Sequence, residues 1–216
     1  LCVFSFHPVK IIAGGEGGMI TTNSEDLYYK LLKLRTHGVN QNPNEILNKA
    51  VGFSKNEKNL WYYEMTDLGY HYRQTDIHCA LIYSQMDRIE NFLSKRKKIA
   101  SFYDLEFSKN NKYFLPQNHL RNFSSNHLYT LNFDFEKNGI TRNFLMSELQ
   151  KRNIITQVHY IPVPLQHYYK KMGYNMKNLE NTLKHYKQCI SLPIYYDLNK
   201  HQQKFVIDSV NEILQN

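Results

Sequence analysis

Cysteine is scarce in this sequence: Cys2, Cys79 and Cys189 are the three found in 216 residues. Odd in number and far apart, they exclude a disulfide framework or a Cys-x-x-Cys metal knuckle, and they point to a reducing cytoplasm. Long apolar runs are missing too. No stretch approaches the roughly 20 residues that a membrane helix needs, and Leu1-Cys2-Val3-Phe4 is too short for a signal peptide. No internal repeat is seen. What is present, 42% apolar and 14% aromatic residues, excludes a disordered or fibrous chain, and the length suits one or two domains.

The charge is positive, 27 Lys and Arg against 19 Asp and Glu for a formal +8. Clustered basic residues would suit a nucleic acid, but here they are dispersed. The densest run, Lys95-Arg96-Lys97-Lys98, falls in a helical pattern where a solvated face is expected, and no RNP-like aromatic motif or zinc-finger spacing accompanies it. An RNA-binding domain is therefore disfavoured, and a small phosphorylated substrate would fit a mild positive field equally well.

Patterning predicts a strand over 17–22, then a helix capped by Asn23 or Ser24 and stopped by Gly38. Residues 39–60 are polar and read as a long surface loop. Thr75 caps a helix expected from about 76 to 107, with a bend and a buried stripe of Ile77, Leu81, Met86, Ile89, Leu93, Ile99 and Phe102. An alternating pattern follows: a strand over 128–133, a helix over 143–152 capped by Thr141, a second strand over 156–160, and a closing helix with an Asn199–Gln202 capping box.

Chemistry concentrates around Lys10, which follows Phe4-Ser5-Phe6-His7-Pro8-Val9 and precedes Ile11 and Ile12. Apolar neighbours disfavour an ammonium, and a neutral amine is a nucleophile that forms Schiff bases with carbonyls. The competing reading is a lysine that snorkels to water. Ser5 brings a hydroxyl able to bind a phosphate oxygen. The glycines of Gly14-Gly15-Glu16-Gly17-Gly18 permit close backbone approach to a ligand, or simply form a turn.

Phe4–Lys10 with Gly15-Glu16-Gly17-Gly18 resembles the cofactor-lysine motif of the DegT/DnrJ/EryC1/StrS family of sugar aminotransferases, which use pyridoxal 5′-phosphate (PLP). The resemblance continues at Arg35-Thr36-His37-Gly38, at Gly69-Tyr70-His71-Tyr72-Arg73, where the family carries Gly-Tyr-Asn-Tyr-Arg, and at His127-Leu128-Tyr129 and Leu192-Pro193. Within the family, Trp61–Met65 and Val158–Val163 look most like members that aminate a UDP-linked 4-keto sugar in pseudaminic acid synthesis.

The resemblance implies an α/β fold, the C-terminal part of a fold-type I aminotransferase. Residues 1–75 would end the large cofactor-binding domain, 76–108 would form a bridging helix, and 109–216 would make the small C-terminal α/β domain. It further implies that Lys10 binds PLP covalently and later moves a proton between the cofactor and the sugar carbon. Ser5 would hold the cofactor phosphate. His71, standing where relatives have Asn, would either face the partner's cofactor or substrate in a homodimer or be an ordinary interface histidine. His159, Tyr160, Ile161 and Pro162 would line the nucleotide-sugar pocket. Arg73 would face an anion or pair with Asp76. Glutamate would be the amino donor, with no metal, nucleic acid or membrane involved, in the cytoplasm. Ala13 and Gly14 stand where relatives usually have Thr.

The family's phosphate cradle and its pyridinium-pairing Asp precede the lysine, and this sequence starts with Leu1 rather than Met. The chain is therefore expected to be the later part of a longer protein and inert alone. Two rival readings are a sugar dehydratase, disfavoured because those relatives replace the lysine with His, and an inert remnant that only dimerises or binds.

Overall fold

Strand-forming residues on either side of a glycine-rich turn make the first ribbon. In the computed structural model, β1 (Cys2–Ser5) pairs antiparallel with β2 (Gly18–Thr21), with Cys2 opposite Thr21 and Ser5 opposite Gly18. The structure describes residues 1–110, 112–115 and 123–215, and the chain divides into two units, Leu1–Asp87 and Arg88–Asn216.

In the first unit, Ser24 caps α1 (Glu25–Arg35) as expected, its hydroxyl accepting the Leu27 N–H at 3.4 Å. The segment read as a long loop is instead folded into small elements. They are β3 (Val39–Asn40), a 3-10 turn at Pro43–Glu45, the one-turn helix α2 (Lys49–Gly52), β4 (Phe53–Ser54), β5 (Glu57–Lys58) and β6 (Glu64–Met65). β3 pairs with β6 and β4 with β5, the latter through Lys55 and Asn56 at φ 50° and 67°. Polar side chains make this possible by satisfying the turns. The Glu64 carboxylate accepts the N–H groups of Leu47 (2.6 Å) and Asn48 (3.2 Å) and the Tyr62 hydroxyl (2.9 Å). The Leu47 bond first, and the others after it, hold that carboxyl below its ordinary pKa.

Thr75 caps α3 (Asp76–Met86), accepting from His78 N–H at 3.3 Å. The helix expected with a bend is broken at Asp87 and Arg88 and resumes as α4 (Ile89–Phe107). Its buried stripe holds only in the second half. Ile99 is buried, but Ile77, Leu81 and Met86 are exposed, and Ile82 is the α3 residue that packs inward. The reason is that α3 meets its own unit along the Ile82–Gln85 side, where it supports the loop carrying Lys10.

The second unit continues with β7 (Tyr113–Phe114), β8 (Tyr129–Phe133), α5 (Arg142–Lys151), α6 (His167–Lys171), α7 (Glu180–Gln188), β9 (Cys189–Leu192) and α8 (Lys200–Gln215). The strands form an antiparallel sheet in the order β7-β8-β9. Tyr129, Leu131 and Phe133 share one face by strand alternation and enter a core with Tyr103 and Phe107 of α4, Leu145 and Leu149 of α5, and Ile207 and Val210 of α8. Asn132 points the other way, where its carboxamide lies 3.2 Å from the ring of His185 on α7.

The expected caps form here too. Thr141 accepts from Phe144 N–H, and Asn199 and Gln202 exchange side-chain-to-backbone bonds of 2.9 and 3.1 Å. The strand expected over 156–160 does not form. Gln157 makes a single antiparallel bridge to Ser191, after which the Val158 N–H turns back to the Gln157 carboxamide and Pro162 offers no N–H.

The basic run at 95–98 also departs from a simple solvated face. Lys95 sits over the Tyr196 ring at 4.8 Å, and Arg96 is 8% exposed. The Arg96 guanidinium lies 3.2 Å from the carbonyls of Asn126, His127 and Ile194, and burial lowers its pKa. Among the described residues no carboxylate pairs with it. Replacing Arg96 with Met would leave those carbonyls uncovered, at a cost of about 3 kcal/mol. Urea unfolding of Arg96→Met against the parent chain measures this, and an unchanged midpoint would refute the assignment.

Candidate active site

Lys10 lies in a turn of the loop joining β1 to β2. Its N–H donates to His7 O at 2.9 Å, while the His7 N–H donates to Ser5 Oγ at 3.4 Å. One residue thus ties the candidate hydroxyl to the candidate amine. Because Ser5 Oγ accepts that bond, its own O–H proton stays available to an oxygen acceptor. The Lys10 side chain is half-buried rather than enclosed, since Val9 is exposed and Ile12 is buried. Among the described residues its amine has neither ion pair nor hydrogen bond. A free primary amine and a free hydroxyl proton carried on one loop are a donor set whose chemistry fits an aldehyde carrying a phosphate.

The rest of the loop is clamped to α3. Gln85 holds Ala13 through both backbone groups, accepting from its N–H at 3.2 Å and donating to its carbonyl at 2.7 Å. Gln74 donates to Glu16 O at 2.6 Å. A Cβ on Gly14 would sit 2.7 Å from Ile82 Cγ1 and 3.3 Å from His78 O, so a larger residue there would have to displace the Ile82 side chain.

Arg35–Gly38 and Gly69–Arg73, distant in sequence, lie against each other. Tyr70 N–H donates to Leu34 O (3.1 Å), His37 N–H to Tyr70 O (3.0 Å) and Tyr72 N–H to Arg35 O (2.9 Å), and Thr36 bridges His71. Both glycines are required by this approach. A Cβ on Gly38 would lie 1.8 Å from Asp67 O, and one on Gly69 would lie 2.2 Å from Gly38 N. The contact presents the exposed His71 edge-on to His37, with ring centroids 5.4 Å apart. Arg73 does not pair with Asp76. Its Nη2 is instead 2.8 Å from His71 Nε2.

The remaining candidates belong to the second unit. His159 Nδ1 lies 2.8 Å from Ser191 Oγ, and the His159 and Tyr160 rings meet edge to face at 4.5 Å across a cis peptide bond. Tyr160 and Ile161 are exposed, while Pro162 is buried and leads into a 3-10 turn at Val163–Leu165. Ser191, buried on β9 and also 3.5 Å from Thr130 Oγ1, fixes the His159 ring and was missed by sequence reasoning. Its signal was a lone hydroxyl in the apolar run Cys189-Ile190-Ser191-Leu192.

Residues 1–211 match the DegT/DnrJ/EryC1/StrS aminotransferase family, and the chain belongs to that family. It is 35% identical over 215 residues to UDP-4-amino-4,6-dideoxy-N-acetyl-beta-L-altrosamine transaminase of Campylobacter jejuni, covering 100% of this chain and 52% of that protein. Among solved structures it superimposes on Helicobacter pylori PseC, an aminotransferase involved in the biosynthesis of pseudoaminic acid. The TM-score is 0.81 at 29% identity, covering 99% of this chain and 53% of the other. It likewise matches the putative sugar aminotransferase Spr1654 of Streptococcus pneumoniae in its PLP-form, with a TM-score of 0.76 at 27% identity, over 99% and 51% of the two chains. The chain spans about half the length of the relatives it matches.

Replacing Gly69 with Ala forces backbone apart and is expected to cost about 3 kcal/mol. Gly139→Ala is the comparison: φ there is left-handed, at 69°, as it is not at Gly69, but nothing lies within 4 Å, so only about 1 kcal/mol is lost. Thermal unfolding of the two variants should separate them, and equal losses would contradict the contact.

Proposed function

We propose that the protein to which this chain belongs is a PLP-dependent aminotransferase that converts a UDP-linked 4-keto-6-deoxy amino sugar to its 4-amino form, with glutamate as donor. The observation that carries this reading is the Ser5–His7–Lys10 arrangement in a chain of this family. It leaves an amine and a hydroxyl proton free in one hydrogen-bonded loop. The names of the Campylobacter and Helicobacter relatives support the sugar assignment.

When bound, PLP supplies the electron sink that lets a carbon next to nitrogen lose a proton. The chain's own residues do the rest. Lys10 Nζ would hold the cofactor's aldehyde carbon and, as a free amine, would accept and return the proton at the sugar carbon as general base and acid. Ser5 Oγ–H donates to a phosphate oxygen and orients the ring. His71 donates to an acceptor on the cofactor or substrate across the interface of a homodimer. His159, oriented by Ser191, lines the sugar pocket with Tyr160, Ile161 and Pro162. The reaction belongs in the cytoplasm. We also assign residues 1–75 to the large domain, 76–108 to the bridge and 109–216 to the small domain.

The full-length protein, incubated with PLP and reduced with borohydride, should carry a pyridoxyl group on the Lys10 peptide by mass spectrometry. Lys10→Ala should lose both the adduct and about 10³-fold or more of amine transfer from glutamate to the keto sugar. An adduct at another lysine, or none, would overturn the reading.

A further inference from the structure

We infer that Arg73 is a positioning residue that fixes the His71 ring as its Nδ1–H tautomer. A guanidinium carries five N–H donors, no acceptor, and does not deprotonate in proteins. With Arg73 Nη2 2.8 Å from His71 Nε2, the imidazole nitrogen has to be the acceptor. Its lone pair is then committed, and the one proton of the neutral ring resides on Nδ1.

The backbone makes the pairing a consequence of register rather than of chance contact between two exposed side chains. Residues 70–73 run extended against 34–36, held by the Tyr70, Tyr72 and His37 bonds and the Thr36 bridge. In an extended segment, residues two apart share a face. Tyr70 and Tyr72 accordingly stand together, with ring centroids 5.6 Å apart, and His71 and Arg73 share the opposite face. His37 flanks the ring edge-on, leaving Nδ1–H with no hydrogen-bond partner among the described residues.

The consequence is chemical. An asparagine carboxamide both donates and accepts. His71 under Arg73 only donates, from an uncharged N–H, so it recognises an oxygen acceptor such as a phosphoryl, carbonyl or hydroxyl oxygen and offers no lone pair to an N–H or O–H donor. That this acceptor belongs to the cofactor or sugar rests on the reading in the preceding section. The tautomer itself does not.

The test is the two-bond proton–nitrogen correlation of the histidine rings in the ¹⁵N-labelled full-length protein, with His71 assigned by its loss in His71→Gln. At a pH where the ring is neutral, His71 should show a pyrrole-type Nδ1 and a pyridine-type Nε2. Arg73→Ala should invert that pattern, and Arg73→Lys, which keeps a pure donor, should preserve it. A pyridine-type Nδ1 in the parent protein, or an unchanged pattern in Arg73→Ala, would overturn the inference. The ring spectrum decides this on its own, while PLP affinity of His71→Ala separately tests whether the ring faces the cofactor.

Discussion

The first unit depends on two backbones touching where no side chain fits. Gly38 and Gly69 bring residues 34–38 and 67–70 within contact distance, and that approach sets the register of everything after Gly69. His71 is bridged to Thr36, and Arg73 follows on the same face. Gln74 reaches the lysine loop at Glu16, Thr75 opens α3, and that helix presents Ile82 and Gln85 to Gly14 and Ala13. A steric constraint remote from Lys10 in sequence thus determines how its loop is held. Two family landmarks separated by a folded insert turn out to be one structural element.

The second unit solves a different problem, burying polar groups without leaving carbonyls uncovered. Arg96 pays a desolvation cost that no carboxylate among the described residues offsets, yet its guanidinium closes one end of the sheet, bonding Asn126 and His127 just before β8 and Ile194 just after β9. Tyr103 and Gln203 act alike, donating to Pro193 O at 3.0 Å and Ile99 O at 2.6 Å, and burial raises the Tyr103 hydroxyl's pKa. Arg96 and Tyr103 thereby satisfy carbonyls outside helix and ladder, whereas Gln203 ties α8 to a carbonyl inside α4. The Pro193 and Ile194 carbonyls lie just after β9, and on β9 itself Ser191 holds His159.

What could be read from the sequence was local. Ser24, Thr75, Thr141 and the Asn199–Gln202 pair cap their helices because a cap needs a partner only three residues away. The bonds from His7 N–H to Ser5 Oγ and from Lys10 N–H to His7 O are local in the same sense. Failures came where the partner is distant. Residues 39–60 look like a loop until Glu64 is brought to Leu47, and Arg96 looks solvated until carbonyls some 30 and 98 positions away surround it. The 156–160 strand failed because Gln157 has the right composition but Val158 spends its N–H locally. Nothing in a single sequence orders such competitors.

The two units also hold their candidate site residues by different forces. The principal apolar cluster runs from Ile99 to Leu214, wholly inside the second unit, so His159 rests on a strand embedded in a packed core. In the first unit the buried apolar residues are few and scattered, among them Phe6, Ile12 and Ile82, and both strands of the β1–β2 ribbon are exposed along their length. A two-stranded ribbon of that kind is marginal by itself. The geometry around Lys10 is therefore set chiefly by directional bonds: His7 to Ser5, Lys10 to His7, Gln85 to Ala13 and Gln74 to Glu16. Such bonds contribute only about 1 kcal/mol each but fix angles that apolar packing does not. Precision at the lysine loop consequently owes more to the carboxamides of Gln74 and Gln85 than to any apolar neighbour of the amine.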